Sequence, residues 1–297
     1  MKLFRSPRFQ ALRAYSFPAM IVPIAAGAAL SADDGISADW RLLPLILLSA
    51  LAIHAGTNLV NDLEDFSRGV DNPEWPGSSG VLVLGLLTPR QIVLQALSCF
   101  AFSIIAALPL IVMRGWSVAA LGVVGIVAGY SYTGKPLAYK YHALGDAAVF
   151  MLMGMLPVAG TYFVLTGSWN PSTLLIGIPI GCLVTAILHA NNMRDIKHDS
   201  DSGFRTLAFH LGYRGSKVLF VALIMTAYTI PVLLALLRTA GMWSLLVMAT
   251  APMAFSVVRK IVKSSSENPR KLMSIDREIA LLHMAFGIAF VFGIGVN

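Results

Sequence analysis

Long apolar runs recur along the chain at 15–30, 42–61, 92–113, 117–132, 144–165, 173–192, 218–237, 242–258 and 279–296, each bounded by polar residues. Most approach the ~20 residues that carry an α-helix across a ~30 Å hydrocarbon layer. They are continuous rather than alternating, which argues against transmembrane strands. The pattern predicts an all-α, polytopic membrane protein of about nine transmembrane helices in a ring-like bundle. Pro18 and Pro23 should start or kink the first run. Arg114-Gly115 should turn tightly between the third and fourth. The 62–90 connection is long enough to be a working loop rather than a plain link.

Composition agrees: 57% of residues are hydrophobic and 12% charged, about half the charge of a soluble domain. The formal charge is +7, and its distribution excludes a nucleic-acid footprint. With the loops placed between these runs, all 22 Lys and Arg except Arg41, Arg114 and Arg238 fall on one side. That is the positive-inside asymmetry. It puts the basic N-terminal segment (Lys2, Arg5, Arg8, Arg13) in the cytoplasm and the protein in the cell inner membrane. The first run reads as a retained anchor, not a cleaved signal. Cys99 and Cys182 sit inside apolar runs and carry no redox or metal signal.

Against this background two polar stretches stand out. Residues 58–71 hold Asn58, Asn61, Asp62, Glu64, Asp65, Arg68 and Asp71. Asn58, Asp62 and Asp65 are spaced i, i+4, i+7 and share one helix face, and Gly69 can turn Asp71 back toward it. Residues 191–201 repeat the theme: Asn191 laid on Asn58 puts Asp195 on Asp62, with Asp199 one turn further. The runs carrying them are four apart and point the same way. Both motifs therefore reach the cytoplasmic face of one domain, 1–297, built as a parallel repeat (15–132 and 144–258) plus a last span, 279–296.

Carboxylates beside a bilayer are costly unless they pair or bind something. Asp62, Asp65, Asp71, Asp195 and Asp199 meeting in one place call for cations, and an all-oxygen donor set suits Mg²⁺. Mg²⁺ shares its shell readily with phosphates, so the matching ligand is a hydrophobic diphosphate, a polyprenyl diphosphate. Arg68, Lys135, Lys140, Arg194 and Arg205 could hold phosphate oxygens, and the rings of Tyr130 and Tyr132 could face a carbocation. His54 and His189 read as packed, hydrogen-bonded histidines. Glu64, Glu74 and Asp201 read as loop charges. Basic inner-loop residues and interfacial tyrosines also have a purely topological explanation.

Asn58-x-x-Asn61-Asp62-x-x-Asp65 and Asn191-x-x-x-Asp195-x-x-x-Asp199 resemble the two Asp-rich motifs of the UbiA superfamily of intramembrane prenyltransferases. The resemblance implies Mg²⁺-dependent transfer of a prenyl group from its diphosphate to an aromatic or other acceptor. It gives Asp62, Asp65, Asp195 and Asp199 the metal–diphosphate role, with Asn58 and Asn191 in support. The Asn61–Asp71 spacing, the Asn191-Asn192-x-Arg194-Asp195 run and Leu144-Gly145-Asp146 are similar to the menaquinone branch, which prenylates 1,4-dihydroxy-2-naphthoate. Members of that branch commonly carry Glu where this chain has Asp146. Other acceptors (4-hydroxybenzoate, homogentisate, a lipid alcohol) stay open, as do a secondary transporter and a non-catalytic lipid-binding factor. Cysteines placed at Lys135 and Lys197 should react with a membrane-impermeant thiol reagent from the same, cytoplasmic, side; labelling from opposite sides would separate the two motifs.

Overall fold

The computed structural model describes residues 6–74, 79–266 and 272–296. Lys2 and Arg5 of the basic N-terminal segment, and Trp75–Gly77 of the long loop, lie outside the described residues.

Every regular element in the described residues is helical: α1 (Pro7–Ala11), α2 (Pro18–Asp33), α3 (Leu43–Ser67), α4 (Pro89–Arg114), α5 (Trp116–Ser131), α6 (Gly145–Phe150), α7 (Leu156–Thr166), α8 (Ser172–Arg194), α9 (Ile196–Asp201), α10 (Leu207–Leu236), α11 (Ala251–Lys263) and α12 (Ile275–Gly295). A π-helical turn, Met151–Met155, joins α6 to α7, and a 3-10 segment, Met242–Thr250, leads into α11. Each predicted run has its helix. Among the described residues, seven helices are long and apolar enough to cross a membrane singly, and Pro7–Ser16 with Pro18–Asp33 makes an eighth across a 48° bend. Helix α5 is apolar but has only 16 residues, about 24 Å of rise.

Local chemistry sets many of the ends. Pro18 and Pro89 stand at first helical positions, where a missing N–H costs nothing. Thr88 and Gln91 cap α4 reciprocally, each side chain bonding the other's backbone. Gly115, between α4 and α5, has φ 78°, and Gly212 has φ 63° where α10 breaks after its first turns. Both need the left-handed backbone that glycine adopts without penalty.

Helix α8 is the most enclosed candidate span and α4 the least. Around α8 pack α2, α7, α10 and α12, joined by Val22, Tyr162, Ile180, Leu183, Phe220 and Phe286. Helix α2 also packs on α12, so the first long helix closes against the last. On the other side, residues 81–87 of the long loop fold beneath the α3–α4 pair, burying Val81, Leu82 and Leu87 against Leu59 and Ile92.

The π-turn approaches α8 through glycines. A Cβ on Gly154 would lie 2.4 Å from the Cα of Gly181, and one on Gly177 would lie 2.6 Å from the Cα of Met155. Close backbone approach of this kind is a recurrent way to hold helices together in lipid, where no hydrophobic drive exists between them. Gly154→Val should therefore cost about 3 kcal/mol, read as a lowered melting temperature of the detergent-solubilised protein. Gly122→Ala, which meets nothing within 4 Å, should leave it unchanged or raise it.

Candidate active site

The last turns of α3 carry the first motif on one face, as the spacing predicts. His54, Asn58 and Asp62 follow one another at i, i+4, i+8 and all face the segment between α1 and α2. His54 Nε2 meets Ser16 Oγ at 2.8 Å, while Asn58 Nδ2 donates to Leu12 O (3.3 Å) and Ser16 Oγ (3.2 Å). That segment presents Arg13, in a left-handed conformation with φ 53°, to Asp62. Arg13 Nη2 and Ser79 Oγ donate to opposite oxygens of this buried carboxylate. Asn58, expected to support substrate, thus holds the strand of chain that delivers Arg13.

Asp65 is buried and fully engaged. It accepts Asn61 Nδ2 at 2.8 Å and Lys140 Nζ at 2.7 Å on Oδ2, and Tyr141 OH at 2.6 Å on Oδ1. Its backbone carbonyl accepts the N–H groups of Val70 (2.9 Å) and Asp71 (3.2 Å), which folds the chain back at Gly69 (φ 74°). The expected turn of Asp71 toward the motif is formed. Arg68 pairs with Glu64 at 3.2 Å, reaches Thr133 O at 3.4 Å and stands 4.5 Å over the ring of Tyr141. Glu64 is therefore the partner that orients Arg68, not an idle loop charge. Tyr141 also packs on Phe204, with ring centroids 4.3 Å apart. Burial, then Asp65, raises the pKa of its phenol, so it serves Asp65 as a proton-bearing donor.

The second motif ends α8 and continues into α9. Arg194 grips Asp195 with two 2.7 Å bonds. His198 Nε2 lies 2.9 Å from Val70 O, a direct link from the second motif to the first. Asp71 and Asp199 take no side-chain hydrogen bond or ion pair among the described residues. Burial, then Asp65 and Asp62, pushes the carboxyl of Asp71 up to about 7. Burial raises Asp199 to about 6; Lys140 opposes the rise, and Asp195 and Asp65 add to it. Asn191 Oδ1 is buried with no hydrogen-bond partner.

The five aspartates do not form a single cage: among the described residues, no three or more His, Cys, Asp or Glu side chains are arranged to hold a metal ion. Asp62, Asp65 and Asp195 take their counter-charge from Arg13, Lys140 and Arg194 instead. Asp71, Asp199 and the buried Asn191 Oδ1 offer side-chain oxygens of the two motifs that take no hydrogen bond or ion pair among the described residues. They suit a hard divalent cation, whose charge would offset the burial, and with it the like-charge repulsion, that raises the two acids.

The basic and aromatic candidates divide. Lys140 and Arg68 are in the site. Lys135 is exposed and makes no contact with either motif. Arg205 lies at the margin, 5.6 Å over the ring of Phe209, lining a surface cavity with Tyr141, His142 and His210. Tyr130 is 44% exposed and its ring lies against Gly134, away from the carboxylates. Tyr132 turns inward, edge-on to Tyr139 at 5.5 Å. Arg13, Ser79 and Tyr141 were not singled out for the site from sequence. Of the three, only Tyr141 has a local signal, its place beside Lys140.

The sequence model of the UbiA prenyltransferase family matches residues 20–287. The chain belongs to this family. It is an intramembrane prenyltransferase and a multi-pass integral membrane protein. It is 32% identical over 289 residues to a 1,4-dihydroxy-2-naphthoate octaprenyltransferase of Bacillus subtilis (strain 168), covering 97% of this chain and 92% of that one. It is 34% identical to the UbiA prenyltransferase domain-containing protein 1 of Gallus gallus, covering 96% of this chain and 83% of the relative. In fold it matches a UbiA homologue from Archaeoglobus fulgidus bound to GPP and Mg²⁺, with TM-score 0.62, 18% identity, and 97% of this chain and 100% of that one covered.

In this prenyltransferase Tyr141→Phe keeps the ring over which Arg68 stands and removes only the bond to Asp65. A hydrogen bond to a charged group is worth about 1.5–3 kcal/mol, so prenyl transfer should fall on the order of tenfold or more. Lys140→Ala should be more damaging, because it leaves Asp65 without its cation. Lys135→Ala should stay near the unaltered rate in the same assay.

Proposed function

We propose that the protein transfers a polyprenyl group from its diphosphate to an aromatic quinone precursor, 1,4-dihydroxy-2-naphthoate, with Mg²⁺, at the cytoplasmic face of the inner membrane. The observation that carries this reading is the junction of the two motifs. His198 of the second bonds the backbone of the first, and Lys140, paired with Asp65, also opposes the rise in the pKa of Asp199. The donor class is supported by the Archaeoglobus homologue, which is bound to GPP and Mg²⁺. The acceptor is supported by the Bacillus relative's substrate and by the Asn61–Asp71 spacing. The basic asymmetry of the loops supports the orientation, and the two motif-bearing helices, α3 and α8, support a single domain built as a parallel repeat.

Asp71, Asp199 and Asn191, beside Asp62, Asp65 and Asp195, would hold the metal. Bound Mg²⁺ would supply Lewis-acid stabilisation of charge gathering on the departing pyrophosphate. Lys140, Arg68 and Arg194 provide fixed positive charge for phosphate oxygens, with Arg205 at the rim. Asn61 keeps Asp65 aimed. Tyr132 presents a ring that would face an allylic cation, while the ring of Tyr141 is taken by Arg68 and Phe204, and the buried surroundings keep water from the cation. The allylic C–O bond breaks, with its electron pair leaving on pyrophosphate, and a ring carbon of the acceptor bonds to the prenyl carbon. The ring then releases a proton from the prenylated carbon; for the naphthoate, the carboxylate also leaves as CO₂ and the carbon that bore it takes up a proton.

Purified protein should convert labelled polyprenyl diphosphate with Mg²⁺ and 1,4-dihydroxy-2-naphthoate, with kcat/KM above that for 4-hydroxybenzoate, homogentisate or a lipid alcohol. Preference for one of those would replace the acceptor and leave the chemistry. Asp62→Asn and Asp195→Asn should each lower turnover on the order of 10³-fold. The double variant should be little worse than either, as for residues acting as one unit. Near-normal turnover in a folded Asp195→Asn variant would remove the second motif from catalysis.

A further inference from the structure

Asp146, at the start of α6, has no part in the chemistry above, yet it is one of the most enclosed acids in the molecule, 4% exposed. Its carboxylate has two side-chain partners, both on the last turns of α8. His189 Nδ1 lies 2.7 Å from Oδ1, and Asn192 Nδ2 donates to Oδ2 at 3.3 Å. The other ring nitrogen of His189 is committed to the carbonyl of Ser216 on α10, at 3.2 Å. His189 is fully buried, so it is a strut between helices, with neither nitrogen left for substrate.

The geometry constrains α8 closely. Residues 189 and 192 are three apart and share a face. Holding both fixes the rotation of the helix end and its height along the axis. Asn191 then projects about 100° away from Asn192 around the helix, and Asp195 follows on the next turn. The same short stretch reaches the first motif from its other end: Lys140 and Tyr141 bond Asp65, and five residues beyond Tyr141 the chain bonds α8. One strap, residues 140–146, is hydrogen-bonded to both metal-binding halves.

We propose that Asp146 is a positioning residue: through His189 and Asn192 it sets the register of the second Asp-rich motif against the first, and so the span across which a metal-bound diphosphate is held. This rests on the function proposed above and adds a determinant that touches neither substrate nor metal.

The test uses the full chain in detergent, with geranyl diphosphate and MgCl₂ as the probe. Asp146→Asn keeps the shape of the side chain but weakens its ability to hold both partners. Asp146→Ala combined with His189→Leu removes both members of the buried pair, a change folding tolerates far better than orphaning one. Expected is a ligand-free melting temperature close to that of the unaltered protein for the double variant. The Mg²⁺-dependent thermal stabilisation by geranyl diphosphate should weaken, with apparent Kd raised at least tenfold in both variants. KM for the aromatic acceptor should hold steady while kcat falls. A folded variant that binds the diphosphate with unaltered Kd would overturn the inference alone. No Mg²⁺-dependent stabilisation of the unaltered protein would take the proposed function down with it.

Discussion

Positive charge opposite buried carboxylate is the requirement from which the rest of this molecule follows. Asp62 and Asp65 end an apolar helix and are almost wholly enclosed. A lone carboxylate in such a place costs several kcal/mol, and removing a partner from a buried pair costs about 3–5 kcal/mol. Each acid is accordingly matched from a distant part of the chain: Asp62 by the segment before α2, Asp65 by the loop after α5. The connections between spans are therefore structural components of the site. Their paths over the end of the bundle are dictated by which aspartate each must reach.

Balance is deliberately incomplete elsewhere in the same pocket. Asp71 and Asp199 have no side-chain partner among the described residues, and burial, with neighbouring acids adding to it, pushes their carboxyls up toward neutrality. Stability is supplied at Asp62, Asp65 and Asp195, while binding capacity is kept at the two unpaired acids and at Asn191. A pocket compensated throughout would be more stable and would have no affinity left for a cation–diphosphate pair. Rigid packing nearby makes this arrangement tenable: the glycine contacts of Gly154, Gly177 and Gly181 hold the π-turn against α8, so the second motif rests on the best-enclosed helix.

Helix identity and the shared face of Asn58, Asp62 and Asp65 were legible in the sequence because both are local: apolar run length and 3.6-residue periodicity need no tertiary information. So was the convergence of the two motifs, since parallel spans must deliver their ends to one side. The partners of the acids were not legible. Arg13 lies 49 residues from Asp62, and Tyr141 lies 76 residues from Asp65, and no spacing rule connects them. Lys135 and Lys140 look alike in sequence, but only the chain path after α5 puts one on Asp65 and leaves the other in solvent. Tyr130 and Tyr132 divide for a similar reason, being two residues apart at a helix end and so pointing different ways. The role of Asp146 depends on a pairing with His189 across 43 residues, which sequence shows only as one acid and one histidine inside separate apolar runs.

The position of Arg13 ahead of Asp62 has a consequence for how the chain enters the membrane. Synthesis runs from the N-terminus, so Arg13 and the Ser16 segment already exist when α3 emerges with Asp62. The first aspartate can meet its cation as the opening helical hairpin inserts. Asp65, one turn later, must wait until the chain has grown past Lys140 and Tyr141, after two further spans. During that interval α3 carries one matched and one unmatched acid at its C-terminal end, where water can still solvate the second. The order of residues thus lets the deeper acid be neutralised first; the first motif is fully paired as the fifth apolar run begins, and the site is complete only once α8 and α9 bring the second motif against it.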